Sequence, residues 1–334
     1  MQIINNTKFN VEAIPSYGLN KRPKLTIIVK GSFKYNFDGH VELLKKQMPI
    51  FYCDQLFDEQ TSVKFESDIV PFKEKTDIVL IGHAYTKSQK PTKKLNVKLS
   101  VDKISKSLNI IGDRELILSK IFNKIQHTEP KPFTKMPIRY EYSYGGYDPF
   151  SNMYYNMNPV GKGFIYKKKA KALNGLKLPN IEDIELQIDD LWKKRPIPAG
   201  FGFYSKTWSI RTNYLGTYDE VWRSQRSPCP PEDFSYLFYN AAHPDLQLES
   251  YLSGNEEVTL TNLTQTHENV NFIIPKINLN CIISMIDSFN NNIKLNLDTL
   301  CLLPDENIFY LVWRGLTKID DISLISVSKI TINS

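Results

Sequence analysis

A chain of 334 residues with 41% hydrophobic and 23% charged side chains has globular composition and enough length to bury its own core, which excludes a disordered chain. Its 42 basic and 36 acidic residues leave a net charge of +6, spread along the chain, which demands no nucleic-acid partner. No apolar run approaches the roughly 18 residues of a membrane helix, Met1–Asn6 lacks a leader pattern, and Cys53, Cys229, Cys281 and Cys301 form no zinc-ribbon pair, so a cytoplasmic protein without membrane insertion is expected.

Strand signals dominate from the start. In Leu25–Phe37, Ile27, Val29, Phe33, Tyr35 and Phe37 fall on one face, with Gly31 between, as in a half-buried strand. Asp77–Tyr85 is a continuous apolar run and reads as a more deeply buried strand. Lys94–Val101 alternates Leu95, Val97, Leu99 and Val101 against polar residues. A short turn at Asp102-Lys103 joins it to Ser107–Ile111 as a hairpin. Pro137–Tyr144 alternates again. Short helices are predicted at Pro179–Leu191 and at Pro230–Tyr239, the latter from the acidic first turn Glu232-Asp233. Five more strands follow: Val258–Leu263, Asn271–Pro275, Lys294–Leu297, Ile308–Trp313 and Ile322–Ile332, rich in β-branched and aromatic residues. The expected fold is therefore mainly β. Two packed antiparallel sheets or lobes, sandwich- or barrel-like, would carry few short helices and long ordered loops rich in aromatics and glycine.

Residues 137–231 differ from the rest. They hold 8 of 15 glycines, 10 of 18 tyrosines and 3 of 4 tryptophans. Long ordered loops are usually functional, and Tyr and Trp favour interfaces. Tyr144, Tyr147, Phe201, Trp208, Tyr218 and Trp222 are the candidate partner-binding residues. The simpler alternative is that these rings pin the loops to the sheets. The domain reading is one unit over 1–315, with room for two β lobes at about 1–125 and 137–334, the loop-rich segment 137–231 between them, and terminal strands at 316–334.

Catalytic chemistry finds little support. Gly161-Lys162-Gly163 and Gly200-Phe201-Gly202 lack the strand–turn–helix context and the continuation of a nucleotide loop. No two of His40, His83, His127, His243 and His267 lie at ligand spacing, and His83, inside an apolar run, reads as a core histidine. There is no nucleophile elbow. Glu66 with Asp68, and Asp113 with Glu115, are the available carboxylate pairs. Glu66, Asp68, Asp113 and Arg114 read best as structural residues that cap turns and form ion pairs at strand ends. The basic runs Lys167-Lys168-Lys169 with Lys171, and Lys193-Lys194-Arg195, read as solvated faces. No catalytic, metal or cofactor-binding residues are assigned, and neither metal nor nucleotide is expected to be needed.

An ordered set of segments carries a family resemblance. They are Glu66-Ser67-Asp68-Ile69-Val70-Pro71-Phe72-Lys73, Thr76–Ala84, Gly112-Asp113-Arg114, Pro132–Gly146, Asn158-Pro159-Val160-Gly161-Lys162-Gly163 and Leu178–Glu182. Pro198–Gly202 with Trp208 and Arg211, Gly216–Asp219 with Trp222, Pro304–Glu306 and Leu311–Gly315 complete the set. In this order they resemble the bacterial family of domains of unknown function numbered twenty-one sixty-nine. The resemblance implies a non-enzymatic cytoplasmic adaptor or chaperone of type VI secretion. It would bind an effector through its PAAR-like domain and help load it onto the spike, with the spike protein as a further partner. The resemblance implies no catalytic residues. The competing reading is a carbohydrate-active or other hydrolytic β-protein using Glu66/Asp68 or Asp113/Glu115.

Overall fold

The computed structural model describes residues 1–58, 61–118, 125–167, 173–186, 190–286 and 290–334. It is mainly β, with three larger sheets, several two-stranded ones and only short helices. The largest sheet has seven strands. Its order is Gln247–Leu248, Thr76–Leu80, Asn296–Leu303, Ile308–Lys318, Pro23–Tyr35 and Asn10–Tyr17, with Val41–Leu43 also paired to Pro23–Tyr35. A five-stranded sheet runs Ile181–Asp183, Ile104–Ile111, Lys94–Val101, Glu257–Thr261, Asn269–Ile273. A four-stranded sheet joins the chain ends, in the order Gln2–Asn5, Val327–Asn333, Asn280–Met285, Asn290–Ile293. None of the three closes into a barrel. The sheets are also not purely antiparallel: Thr76–Leu80 runs parallel to Asn296–Leu303, and Gln2–Asn5 parallel to Val327–Asn333. Each of the three larger sheets takes strands from before residue 125 and after residue 137. Among the described residues, no helix is long and apolar enough to cross a membrane.

Pro23–Tyr35 is the central element, and the expected apolar face is present from Ile27 to Tyr35, whereas Phe37 lies beyond the strand end and is exposed. Phe33 stacks on Phe309 at 5.3 Å between ring centroids, and Tyr35 on Phe272 of the five-stranded sheet at 4.4 Å. Phe272 in turn stacks on Phe309, so aromatic rings join the two sheets. The strand is not half-buried, however. Its other face carries Thr26, Ile28, Lys30 and Ser32, all buried. The segment from Gln47 to Lys73 covers it: the Thr26 hydroxyl donates to the Pro71 carbonyl, Lys30 reaches Asp68, and the Met48 N–H donates to the Ser32 hydroxyl.

Other elements depart from the sequence pattern for identifiable reasons. The run Asp77–Tyr85 breaks at Ile81-Gly82 into strands Thr76–Leu80 and His83–Tyr85. Pro137–Tyr144 is not one strand. Lys135–Pro137 pairs with His83–Tyr85, then Tyr140–Tyr142 turns as a 3-10 helix because Tyr140 packs between Tyr204 and Trp208. The helix expected over Pro230–Tyr239 is only a 3-10 turn at Tyr236–Tyr239. Asp233 does not cap it; its carboxylate accepts the Thr217 N–H and hydroxyl at 2.9 and 2.7 Å. An α-helix forms instead at Glu220–Gln225, where Asp219 accepts the Trp222 N–H at 2.8 Å as N-cap. Pro179–Leu191 opens with the strand Ile181–Asp183, and a helix, Asp190–Lys193, begins only at its end; residues 187–189 lie outside the described residues.

Candidate functional site

Three groupings bring the sequence-predicted residues together, and each has a different character. The first is a buried charge layer on the covered face of the seven-stranded sheet. Neighbouring strands contribute Lys30, Asp77, Asp298 and Arg314. Asp298 is the extra residue of a β-bulge, where register shifts between Leu297 and Thr299, and the bulge aims its carboxylate at Arg314. The covering segment contributes Glu66, Asp68 and Lys73, and Arg211 comes from the short helix Ser209–Thr212. Lys30 pairs with Asp68 at 2.7 Å, Lys73 with Asp77 at 2.6 Å, and Arg211 with Glu66 at 2.6 Å. Arg314 also donates to the Asp68 carbonyl at 2.9 Å. Four cations thus face four anions, all nearly excluded from water. The Lys30 ammonium also sits 3.7 Å from the Phe51 ring centroid and 4.2 Å from that of Tyr310. Burial pulls the Lys30 pKa down while Asp68 pulls it back. Glu66 and Asp68 therefore face fixed cations inside the fold.

The second grouping is a cleft of about 520 Å³ whose walls come from five separate segments. Asp113, Arg114 and Glu115 form one wall. Gly112 lets that wall close up, since a Cβ there would meet the Lys131 carbonyl oxygen at 1.8 Å. Tyr142 and Lys162 form another. Lys162 is held by an interlock of glycines. Tyr144–Gly145 pairs in parallel with Lys162–Gly163, and a Cβ on Gly146 would meet the Gly161 carbonyl oxygen at 2.3 Å. The buried Asn158 amide ties the loop down by donating to the Tyr140 and Tyr144 carbonyls at 2.8 and 3.1 Å. The Lys162 ammonium donates to Asn180 Oδ1 at 2.6 Å and lies 4.6 Å from the Tyr142 ring centroid. Burial lowers its pKa, with Asp113 opposing and Lys177 adding to the fall. Arg114 bonds to Glu182 beneath the cleft; burial raises the Glu182 pKa and Arg114 counters it. Asp113 accepts the Asn180 amide at 3.1 Å.

The third grouping is an exposed aromatic surface. The hairpin Tyr147–Asp148 with Met153–Tyr154 presents Tyr147, Phe150, Met153 and Tyr154, joined by Tyr166. Phe150 and Tyr154 are 54% and 56% exposed. Asp148, buried below, accepts the N–H groups of Phe150 and Tyr166, each at 3.0 Å, and the Ser151 hydroxyl, so the platform is tied together from beneath. A groove of about 220 Å³ runs between Phe150, Met153, Tyr166 and Lys167.

The six candidate anchors divide on burial. Tyr144, Phe201 and Trp208 are buried, and so act as core and not as contact residues. Tyr144 packs with Tyr155 and Phe164, and Trp208 with Tyr140 and Tyr204. Tyr147 and Tyr218 are exposed. Trp222 is half-buried, its indole N–H donating to the Cys229 carbonyl at 2.8 Å. Sequence reasoning missed Phe150, Met153, Tyr154 and Tyr166. Their one signal was the turn Asp148-Pro149-Phe150-Ser151-Asn152 between two aromatic pairs, the pattern of a hairpin tip. His83 is not a core histidine. It is half-buried, and its Nδ1 lies 2.6 Å from the Asp305 carboxylate, which also accepts the Tyr85 hydroxyl at 2.9 Å. Burial disfavours the Asp305 charge, but these hydrogen bonds prevail and hold its pKa below the usual value. Of the basic runs, Lys167 is exposed, while Lys168, Lys169 and Lys171 lie outside the described residues.

No curated protein and no solved structure gives a significant match to the chain. The family model described as "uncharacterized protein conserved in bacteria (DUF2169)" matches residues 20–314, a span containing the charge layer, the cleft and the aromatic hairpin. The chain belongs to that bacterial family.

Proposed function

We propose that this protein is a non-enzymatic adaptor or chaperone that binds a type VI secretion effector through its PAAR-like domain and assists its loading onto the spike. The observation that carries the binding role is the aromatic hairpin. Five large apolar side chains stand together in solvent on a platform anchored through Asp148. Clustered exposed apolar groups of this kind mark contact surfaces, and rigid aromatic anchors lose little entropy on binding. The secretion context rests on the family resemblance. The burial of Glu66 and Asp68 in ion pairs fits a scaffold role for those carboxylates.

The test is co-expression with a PAAR-like protein from the same genome, followed by affinity capture. A Phe150→Ser, Tyr154→Ser double variant should lose the partner while keeping its melting temperature. Each truncated hot-spot ring costs roughly 2 kcal/mol or more of binding. Full retention of the partner by a folded double variant would move the contact surface elsewhere, and failure of the unaltered protein to capture any PAAR-like partner would remove the secretion reading.

A further inference from the structure

The cleft beside Lys162 offers a chemistry that the aromatic hairpin lacks. Two of its wall groups are already matched from outside the lining: Arg114 by Glu182, and Glu129 by Lys93 at 2.8 Å. This leaves the ammoniums of Lys131, Lys162 and Lys177 against the carboxylates of Asp113 and Glu115, a surplus of one positive charge. Among the described residues, none of these three lysines has a carboxylate within 4.0 Å. Lys162 has three N–H donors and spends one on Asn180. The ammonium also lies 4.6 Å from the Tyr142 ring centroid, so it is held in place before any ligand arrives. Arg114, only 7% exposed, is a third cation in the lining, held from beneath by Glu182.

We propose that this cleft binds one carboxylate of a polypeptide, on an acidic side chain or at a chain end, between Lys162, Lys177 and Arg114. A monoanion matches the surplus of one charge. A phosphate dianion would add a second negative charge next to Asp113 and Glu115, with no further cation to meet it. The volume of about 520 Å³ is that of a small-ligand or side-chain pocket. The proposal stands apart from the secretion reading and from the aromatic hairpin.

The experiment uses the full chain with lysine isotope-labelled at Cε, and follows the Lys162 signal by NMR. That signal is assigned by its loss in Lys162→Met, and the Tyr142 ring current sets it apart. The probes are N-acetyl-aspartate methylamide for an acidic side chain, N-acetyl-alanine for a chain end, N-acetyl-asparagine methylamide as the uncharged control, and inorganic phosphate. The Lys162 signal should move saturably with one or both carboxylates and not with the asparagine probe. The stronger of the two carboxylates identifies the source. The exposed Lys177→Met variant should weaken the response about tenfold, the scale of one charge-assisted hydrogen bond. A Lys162 signal that stays still, or drifts without saturating alongside exposed Lys45 and Lys46, overturns the proposal. So does tighter binding of phosphate than of either carboxylate.

Discussion

His243 shows how one side chain can be fixed by its setting. It is buried at the N-cap of the 3-10 turn Pro244–Leu246, and its Nδ1 accepts the Asp245 N–H at 3.1 Å. That bond places the neutral ring's proton on Nε2, a buried atom with no hydrogen-bond partner. Burial first, and the nearby Lys106 second, push the imidazole from its ordinary 6.5 down to about 4, while Asp245 and Asp183 oppose the shift. Lys106 is itself held by Asp183 and Asp245 at 2.7 and 2.9 Å, so its charge is fixed beside the ring. As pH falls through 6.5 the unfolded chain takes up a proton here that the folded chain refuses until about 4. Stability is therefore full above 6.5, is lost on the way down to about 4, and changes no further from this group below that. The ceiling on the loss is about 3 kcal/mol. Urea midpoints measured between these pH values should fall for the natural protein. They should fall less for His243→Asn, whose amide oxygen can still cap the turn. Parallel curves for the two proteins would show that His243 does not set the slope.

At the scale of elements, the segment around Glu66–Lys73 is joined to the sheet by charge as well as by apolar packing. Asp68 is the hub: it pairs with Lys30, accepts the Phe51 N–H at 2.8 Å, and lends its carbonyl to Arg314. Asp68→Asn would leave Lys30 buried on the sheet without an anion. Removing one partner of a buried pair costs about 3–5 kcal/mol, whereas replacing both with apolar groups can be nearly neutral. The single variant should drop by that amount in urea melts, and adding Lys30→Met should recover at least half of it. A single variant within about 0.5 kcal/mol of the natural protein, the scale of an ordinary surface change, would show that the layer is not structural. This layer was only partly legible. Glu66 and Asp68 read as structural, but Lys30 sits in an alternating strand at a position that sequence assigns to solvent. Only the return of a segment 38 residues away buries it. The hairpin Lys94–Ile111 was legible because strict alternation and a tight turn at Asp102, with φ of 49°, are local signals. Tyr140–Tyr142 was not, because the rings that bend it come from Tyr204 and Trp208. The cleft was illegible as a site for the same reason. Arg114, Tyr142, Lys162 and Leu178 meet only after the fold has assembled.

Across the whole molecule, the chain ends complete two of the three larger sheets. The family match spans 20–314, but strands outside it complete two of the sheets. Asn10–Tyr17 pairs along Pro23–Tyr35, from Asn10 opposite Lys30 to Tyr17 opposite Pro23. Gln2–Asn5 lies beside Val327–Asn333, and the Asn6 N–H donates to the Ile332 carbonyl at 2.9 Å. Val327, Ile330 and Ile332 are buried and belong to the main core along with Cys281 and Ile283 of the neighbouring strand. A fragment of residues 20–318 keeps the strand Ile308–Lys318 whole yet removes all of these terminal strands. It would uncover the backbone edge of Pro23–Tyr35 and one side of Asn280–Met285, leaving unpaired edges that invite association. Loss of three buried aliphatic side chains alone, at about 1.5–3 kcal/mol each, amounts to roughly 5 kcal/mol or more. At a few degrees per kcal/mol for a chain this long, that lowers the melting temperature by about 10 °C or more. The fragment should therefore melt well below the full chain or be recovered as aggregate, as thermal melts and size-exclusion chromatography would show. A monomeric fragment with the melting temperature of the full chain would mean that residues 20–318 fold as a complete unit and that the terminal strands are additions to it.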